Sequence, residues 1–293
     1  MLSGDPWPAL PLAEWQDTCK TLHMWLQVVG KIRMTLSTPL NHWWHVTLYV
    51  NARGLTTSPI PYGHGAFEIQ FDFLKHHLEI ATCGGARVVL PLQPETVAAF
   101  YARLMEALRS LEIDVSINTK PQEIPDPIPF EQDFTHRSYD QDYAQRFFRI
   151  LLSTDRVLQQ FRSSYLGKSS PVQFFWGSMD LSCVRYSGRL AMPPRKGHIT
   201  GITHEEVAVG FWPGAGLGAP AFYAYAAPHP AGLEGDPIQP STAGWNQQIG
   251  EFILLYDDVR SAQDPPAALL SFCDSVYAAA AERGHWDRVA LEA

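Results

Sequence analysis

The chain has 293 residues, of which 46% are hydrophobic, 12% aromatic and 18% charged. That is enough apolar material for a real core, and it excludes disordered, collagen-like and low-complexity classes. Its 22 Lys and Arg against 30 Asp and Glu leave a formal charge of -8, with no basic run dense enough to neutralise a phosphate backbone, so nucleic acid is not an expected partner.

In chain order, Met1 to Trp15 has two carboxylates, no Lys or Arg and three prolines, and so lacks the basic start and apolar run of a signal peptide. The cysteines Cys19, Cys83, Cys183 and Cys273 match neither a small disulfide framework nor a CxxC motif, and the chain reads as cytoplasmic. From Leu12 to Leu36, apolar residues recur at the three-and-four spacing of a core-facing helix. Strict alternation from Trp43 to Arg53 predicts a half-buried strand, with His45, Thr47, Tyr49, Asn51 and Arg53 on its polar face. A second strand carries Ile69, Phe71 and Phe73, and His77 to Thr82 with Ala86 to Leu90 flank Gly84-Gly85 as a hairpin. Pro94 opens a helix bearing Val97, Phe100, Leu104 and Leu108.

Pro121, Pro125, Pro127 and Pro129 mark residues 114–139 as an extended connector. A helix starts at Asp140 and stops near Gly167, strands follow around Val172 to Leu190, Glu206 to Phe211, Phe222 to Ala226 and Phe252 to Leu255, and Asp264-Pro265-Pro266 opens a last helix ending near Gly284. Val207 to Leu233 carries no charge over a length that would span a membrane, yet its prolines and glycines break any helix, so two strands around a glycine-rich loop are expected and no membrane partner.

The spacing Pro39, Trp44, Arg53 recurs as Pro171, Trp176, Arg185, and Glu68-Ile69-x-Phe71-x-Phe73 recurs as Glu206-Val207-x-Val209-x-Phe211. These repeats predict an internal duplication of a helix, antiparallel meander, helix unit. The expected fold class is therefore α+β: a first lobe at 1–113, the connector at 114–139 and a second lobe at 140–293, packed as one compact unit. The stretches TLHMWLQVVGKIRMTL, LNHWWHVTLYVNARGLTTSPIPYG, FFWGSMDLSCVRYSGR, GFWPG, PAFYAYAAPHP and LLYDDVR resemble a bacterial family catalogued only as a domain of unknown function. That resemblance covers nearly the whole chain and implies no activity, cofactor or catalytic residue.

Duplicated lobes make a natural cleft, and the leading expectation is binding of a small anionic molecule there, with acid-base chemistry as an option and the enzymatic question open. Arg53 and Arg185 are the candidate anion clamps, because a guanidinium donates paired hydrogen bonds. His45 or His204, with Glu205, would carry the proton and Tyr49 would position the ligand. Trp44, Trp176, Asp180 and Tyr223 complete the candidate ligand-binding set. Each has a plainer alternative in a sheet face, an ion pair or an aromatic core. His42 and His45 lie three apart, which on a strand puts them on opposite faces, and no recognised ligand spacing accompanies them, so no metal is expected. Gly214-x-Gly216-x-Gly218 precedes a strand rather than a helix and fails as a dinucleotide loop. The cofactor and the oligomeric state are left open. The alternative function is a non-catalytic interaction module using the uncharged 207–233 segment.

Overall fold

The computed structural model describes residues 4–191 and 201–293. The helices are α1 (Leu12–Leu36), α2 (Val97–Ser110), α3 (Gln141–Ser163), α4 (Tyr256–Arg260), α5 (Pro265–Arg283) and α6 (Arg288–Leu291). The strands of the first half are β1 (Tyr49–Val50), β2 (Gly54–Thr56), β3 (Ile60–Tyr62), β4 (Gly65–Asp72), β5 (His77–Thr82) and β6 (Arg87–Pro91). Those of the second half are β7 (Gln173–Phe175), β8 (Asp180–Leu190), β9 (His204–Trp212), β10 (Ala221–Ala227), β11 (Gly244–Asn246) and β12 (Glu251–Leu255). The fold is α+β, with antiparallel sheets and segregated helices. Among the described residues no helix is long and apolar enough to cross a membrane.

The chain forms two compact units. One comprises Ala13–Phe148 with Phe174–Met179; the other comprises the residues up to Leu12, Arg149–Gln173 and Asp180–Ala293. The stretch 114–139, expected as a connector, falls inside the first of these. Its extended backbone alternates, so Ile113, Val115 and Ile117 are buried, and Phe130 is buried where its backbone N–H donates to the Thr119 carbonyl. Proline removes helix here without removing packing.

In the first unit the sheet order is β1-β2-β4-β5-β6, with β3 paired to β4. Trp25 of α1 stacks on Phe100 of α2 at 4.8 Å and lies 5.3 Å from Tyr139, while Trp15 packs on Phe147 at 5.4 Å. The single strand expected from Trp43 to Arg53 is not formed. Asn41–Trp43 is a 3-10 turn in which His42 and Trp43 have φ of 59° and 56°; Tyr49 and Val50 pair with Thr56 and Leu55, and Leu48 makes an isolated bridge to Phe174. Two polar groups force the departure. His45 Nδ1 accepts from the Leu40 N–H at 3.1 Å, pulling the chain back, and Asn51 Oδ1 accepts from the N–H groups of Arg53 and Gly54, closing a turn before β2.

In the second unit β11-β12-β10-β9-β8 follow one another across the sheet. Strands β9 and β10 are interior and paired on both sides, and Val207, Val209, Phe211, Phe222 and Ala224 are buried. Central-strand burial accounts for the missing charge of this segment. Helix α5 packs against both strands, begun by Asp264, whose side chain accepts from the Ala267 N–H. Trp7 lies against Phe222 and Tyr256 in the same unit, and the Tyr256 hydroxyl donates to the Pro8 carbonyl at 2.8 Å. The matched motifs of the two halves occupy different local structures: Arg53 lies between β1 and β2, whereas Arg185 lies within β8.

Candidate functional site

Helix α1 is apolar nearly all round between Thr21 and Arg33, so it is buried on every side and takes its polar residues inside with it. Gly30 sits against the face of Trp176, where a Cβ would come within 2.3 Å of the ring, and the indole Nε1 donates to the Val46 carbonyl at 2.8 Å. Lys31 is 1% exposed, with its Nζ 6.0 Å from the Trp176 ring centre. Among the described residues no carboxylate pairs with it and no hydrogen bond reaches it.

Arg33 is 9% exposed, and among the described residues its Nε and Nη1 are buried without a hydrogen-bond partner. The guanidinium carbon lies 5.8 Å from the Tyr49 ring centre. Its charge also reaches His45, whose affinity for a proton falls through burial first and through Arg33 as a lesser cause. Because His45 Nδ1 accepts the Leu40 N–H, the neutral ring carries its proton on Nε2. Burial lowers the pKa of Arg33 as well, but a guanidinium does not give up its proton at neutral pH, so the charge stays and calls for a counter-charge.

A second constellation lies on one face of the second unit's sheet. The register places Ser182 of β8, Gly210 of β9, Tyr223 of β10 and Ile253 of β12 in one cross-strand row, with Asp180 two residues before Ser182 on the same face. Gly210 has no side chain, and the Tyr223 ring fills the space: a Cβ there would lie 2.5 Å from the tyrosine hydroxyl. That hydroxyl donates to Asp180 Oδ2. Tyr225 stacks on Tyr223 at 6.3 Å, and Ala221, Ile253, Trp212 and Leu217 wall the cluster. Burial, with the Asp180 carboxylate as a second cause, pushes the Glu251 carboxyl up to about 7. Burial and Asp180 also hold the Tyr223 phenol well above its usual range, so it serves as a donor.

The remaining sequence candidates lie elsewhere. Arg53 is half exposed and pairs with Glu79 at 3.1 Å and Asp72 at 3.5 Å. Arg185 is 2% exposed, stacked at 3.5 Å on Phe161, 4.3 Å on Tyr277 and 5.0 Å on Tyr165, and donates to the Phe161 carbonyl and to Ser164 Oγ at 2.9 Å. Both expected clamps thus serve local partners, one an ion pair and the other an aromatic cage. Glu205 is opposed by burial, yet hydrogen bonds from Arg189 and Ser187 hold its carboxyl below the usual range. His204 Nδ1 lies 2.9 Å from Thr203 Oγ1, on the opposite sheet face from Glu205. Trp44 sits beside His42 in the turn at 5.6 Å, and Trp176 is buried beside Gly30. A cavity of about 240 Å³ is lined by Glu205, Glu206, His229, Arg283 and Trp286. Around it Arg283 is paired with Asp236 and His229 with Glu234. The buried Cys19 and Cys183 thiols are pushed up to about 12 by burial and stay protonated.

Lys31, Arg33 and Glu251 are absent from the sequence candidates. A signal for the first two exists: a helix with no polar face buries whatever charge it contains.

These features define an α+β protein with two antiparallel sheets, one unit carrying buried cations that are unpaired among the described residues and the other a tyrosine-carboxylate array. The chain belongs to DUF5996, a family of unknown function whose model matches residues 7–293. No curated protein and no solved structure matches it.

Proposed function

We propose that the protein binds a small anionic molecule, and that Arg33 is the group that holds it. The observation that carries this reading is the guanidinium whose Nε and Nη1 are buried without a partner. An ion of this kind costs several kcal/mol when left uncompensated, and an anion accepting from both nitrogens removes that cost. Tyr49 and neutral His45, with its proton on Nε2, border the guanidinium and supply further polar edges. Arg53 pairs with Glu79, and Arg185 Nη2 bonds the Phe161 carbonyl and Ser164 although its Nε is also buried without a hydrogen-bond partner; Arg33 is preferred because two of its nitrogens are in that state and no described bond holds the rest of the group.

The test is thermal unfolding in inorganic phosphate over a concentration series, on the intact chain and on Arg33→Met. A ligand that binds only the folded state raises stability by about 2.7 kcal/mol at a hundred times its dissociation constant. Phosphate is expected to raise the melting temperature of the parent and of Arg53→Ala but not that of Arg33→Met. An equal rise in Arg33→Met overturns the assignment.

The Glu251 carboxyl, with Tyr223 and Asp180, favours a second reading in which the other unit exchanges a proton with a bound molecule near neutral pH. In both halves a long helix precedes an antiparallel sheet and a shorter helix closes it, and this order supports reading the halves as copies of one ancestral unit.

A further inference from the structure

A charge fixes where a ligand sits, and an aromatic face beside it selects what the charge is attached to, because a rigid ring offers stacking area at a fixed position. Trp43 supplies such a face. Its ring is 41% exposed and stacks on His45 at 5.8 Å, with 27° between the planes, and among the described residues no other ring meets it. The backbone holds the indole there against its own preference. His42 and Trp43 both lie in the left-handed region, at φ of 59° and 56°, which residues with a Cβ adopt only where their surroundings enforce it. Two bonds close the turn: the Leu40 N–H donates to His45 Nδ1 at 3.1 Å, and the Val46 N–H donates to the Trp43 carbonyl at 3.1 Å.

The same turn joins the indole to the buried cation. His45, stacked on Trp43, is 5% exposed and feels the Arg33 charge, and the Tyr49 ring centre lies 5.8 Å from the guanidinium carbon. No carboxylate acts on Arg33 or on His45, so nothing in the cluster repels an anion. Nothing described bonds Arg33 Nη2 or His45 Nε2, and neither atom is fully buried, so both donors open on solvent. An anion therefore reaches the guanidinium from outside, on the side where His45 carries the exposed indole.

We propose that the anion this protein binds is carried on a planar aromatic ring. The anionic group accepts from Arg33 Nη2 and from the His45 Nε2–H, and the ring packs on the Trp43 indole. This assignment rests on Arg33 as the holder of the anion and adds the class of molecule that the holder selects. An aryl phosphate or an aryl carboxylate satisfies both contacts, whereas an aliphatic anion of the same size satisfies only the first.

The test is isothermal titration of the full chain with phenyl phosphate and cyclohexyl phosphate, two esters of equal charge and similar size, alongside inorganic phosphate. Phenyl phosphate is expected to bind about threefold to tenfold more tightly than cyclohexyl phosphate, the advantage of an aromatic pair over plain area burial. Trp43→Gly removes the indole and suits a left-handed backbone, so its circular dichroism is expected to match the parent's while the two esters bind alike. Trp43→Phe should restore part of the phenyl preference, and Arg33→Met should bind none of the three compounds. No phenyl preference in the parent, or a preference that survives in Trp43→Gly, overturns the aromatic class while leaving Arg33 as the anion's holder. Failure of the parent to bind any of the three overturns both readings.

Discussion

At the scale of single residues, charge without company is the informative feature. Replacing Arg33 by Met deletes a buried guanidinium whose Nε and Nη1 lack hydrogen-bond partners among the described residues, and apolar replacement of buried charge is often neutral or stabilising. Arg33→Met should therefore unfold at the same denaturant midpoint as the parent or a higher one in phosphate-free buffer. A loss of several kcal/mol would mean that the charge already has a partner. Glu251 gives a prediction with a sign. Burial raises its carboxyl from the ordinary carboxylate range to about 7, so between those values the folded chain holds the extra proton. Stability should fall as pH rises through that window and level off above it. The half-buried position lets water screen the effect, which keeps it under about 3 kcal/mol. Glu251→Gln should flatten this slope; an unchanged slope in chemical denaturation between pH 5 and 7 would assign it to other groups.

At the scale of elements, close approach sets what each position tolerates. Gly30 lies mid-helix, where alanine would normally add about 1 kcal/mol through helix propensity. Here a Cβ would stand 2.3 Å from the Trp176 ring, and the ring is fixed by its bond to the Val46 carbonyl. Overpacking should win, and Gly30→Ala is expected to lose about 2 kcal/mol of net stability in urea unfolding. A gain would show that the ring can move aside. The helices were legible in the sequence because α3 and α5 bury stripes at a period near 3.6, the largest apolar residues of α1 recur at the same period although its middle is buried all round, and start and stop residues such as Asp264 and Gly284 mark their ends. The first polar strand was misread because alternation alone does not report an imidazole or an asparagine that accepts backbone N–H groups, and His45 and Asn51 both do. The candidate site was legible in part. Tyr223 and Asp180 are joined by a hydrogen bond, and His45 and Tyr49 both border Arg33, but no motif spacing marks Lys31, Arg33 or Glu251, whose importance comes from what fails to surround them.

At the scale of the whole molecule, neither compact unit is a continuous stretch of chain. The first borrows Phe174–Met179 from beyond α3, and through that loan Leu48 pairs with Phe174 in an antiparallel bridge while Trp176 packs on Gly30. The second borrows the N-terminal segment, in which Trp7 is 5% exposed against Phe222 and Tyr256. Local periodicity cannot reveal such exchanges, because they join residues more than a hundred positions apart. They nevertheless dictate how the chain responds to cutting. A fragment of residues 1–139 keeps α1, the first sheet and α2 but lacks Trp176, which leaves the Gly30 face and the Val46 carbonyl bare. It also lacks Phe147, against which Trp15 packs. A fragment of residues 140–293 lacks Trp7 and the Pro8 carbonyl that Tyr256 bonds. Deleting a buried Trp side chain typically costs roughly 3–5 kcal/mol, a large share of the 5–15 kcal/mol that holds a typical domain together. Each fragment alone should therefore show broad, weakly cooperative urea unfolding. Trp7→Ala in the full chain should lower the midpoint of the unit that contains β8 to β12, seen by hydrogen exchange at Val209 and Ala224, while leaving exchange in β4 and β5 unchanged. A sharp transition in the isolated 140–293 fragment, at the parent's midpoint, would show that the N-terminal segment contributes nothing to that unit.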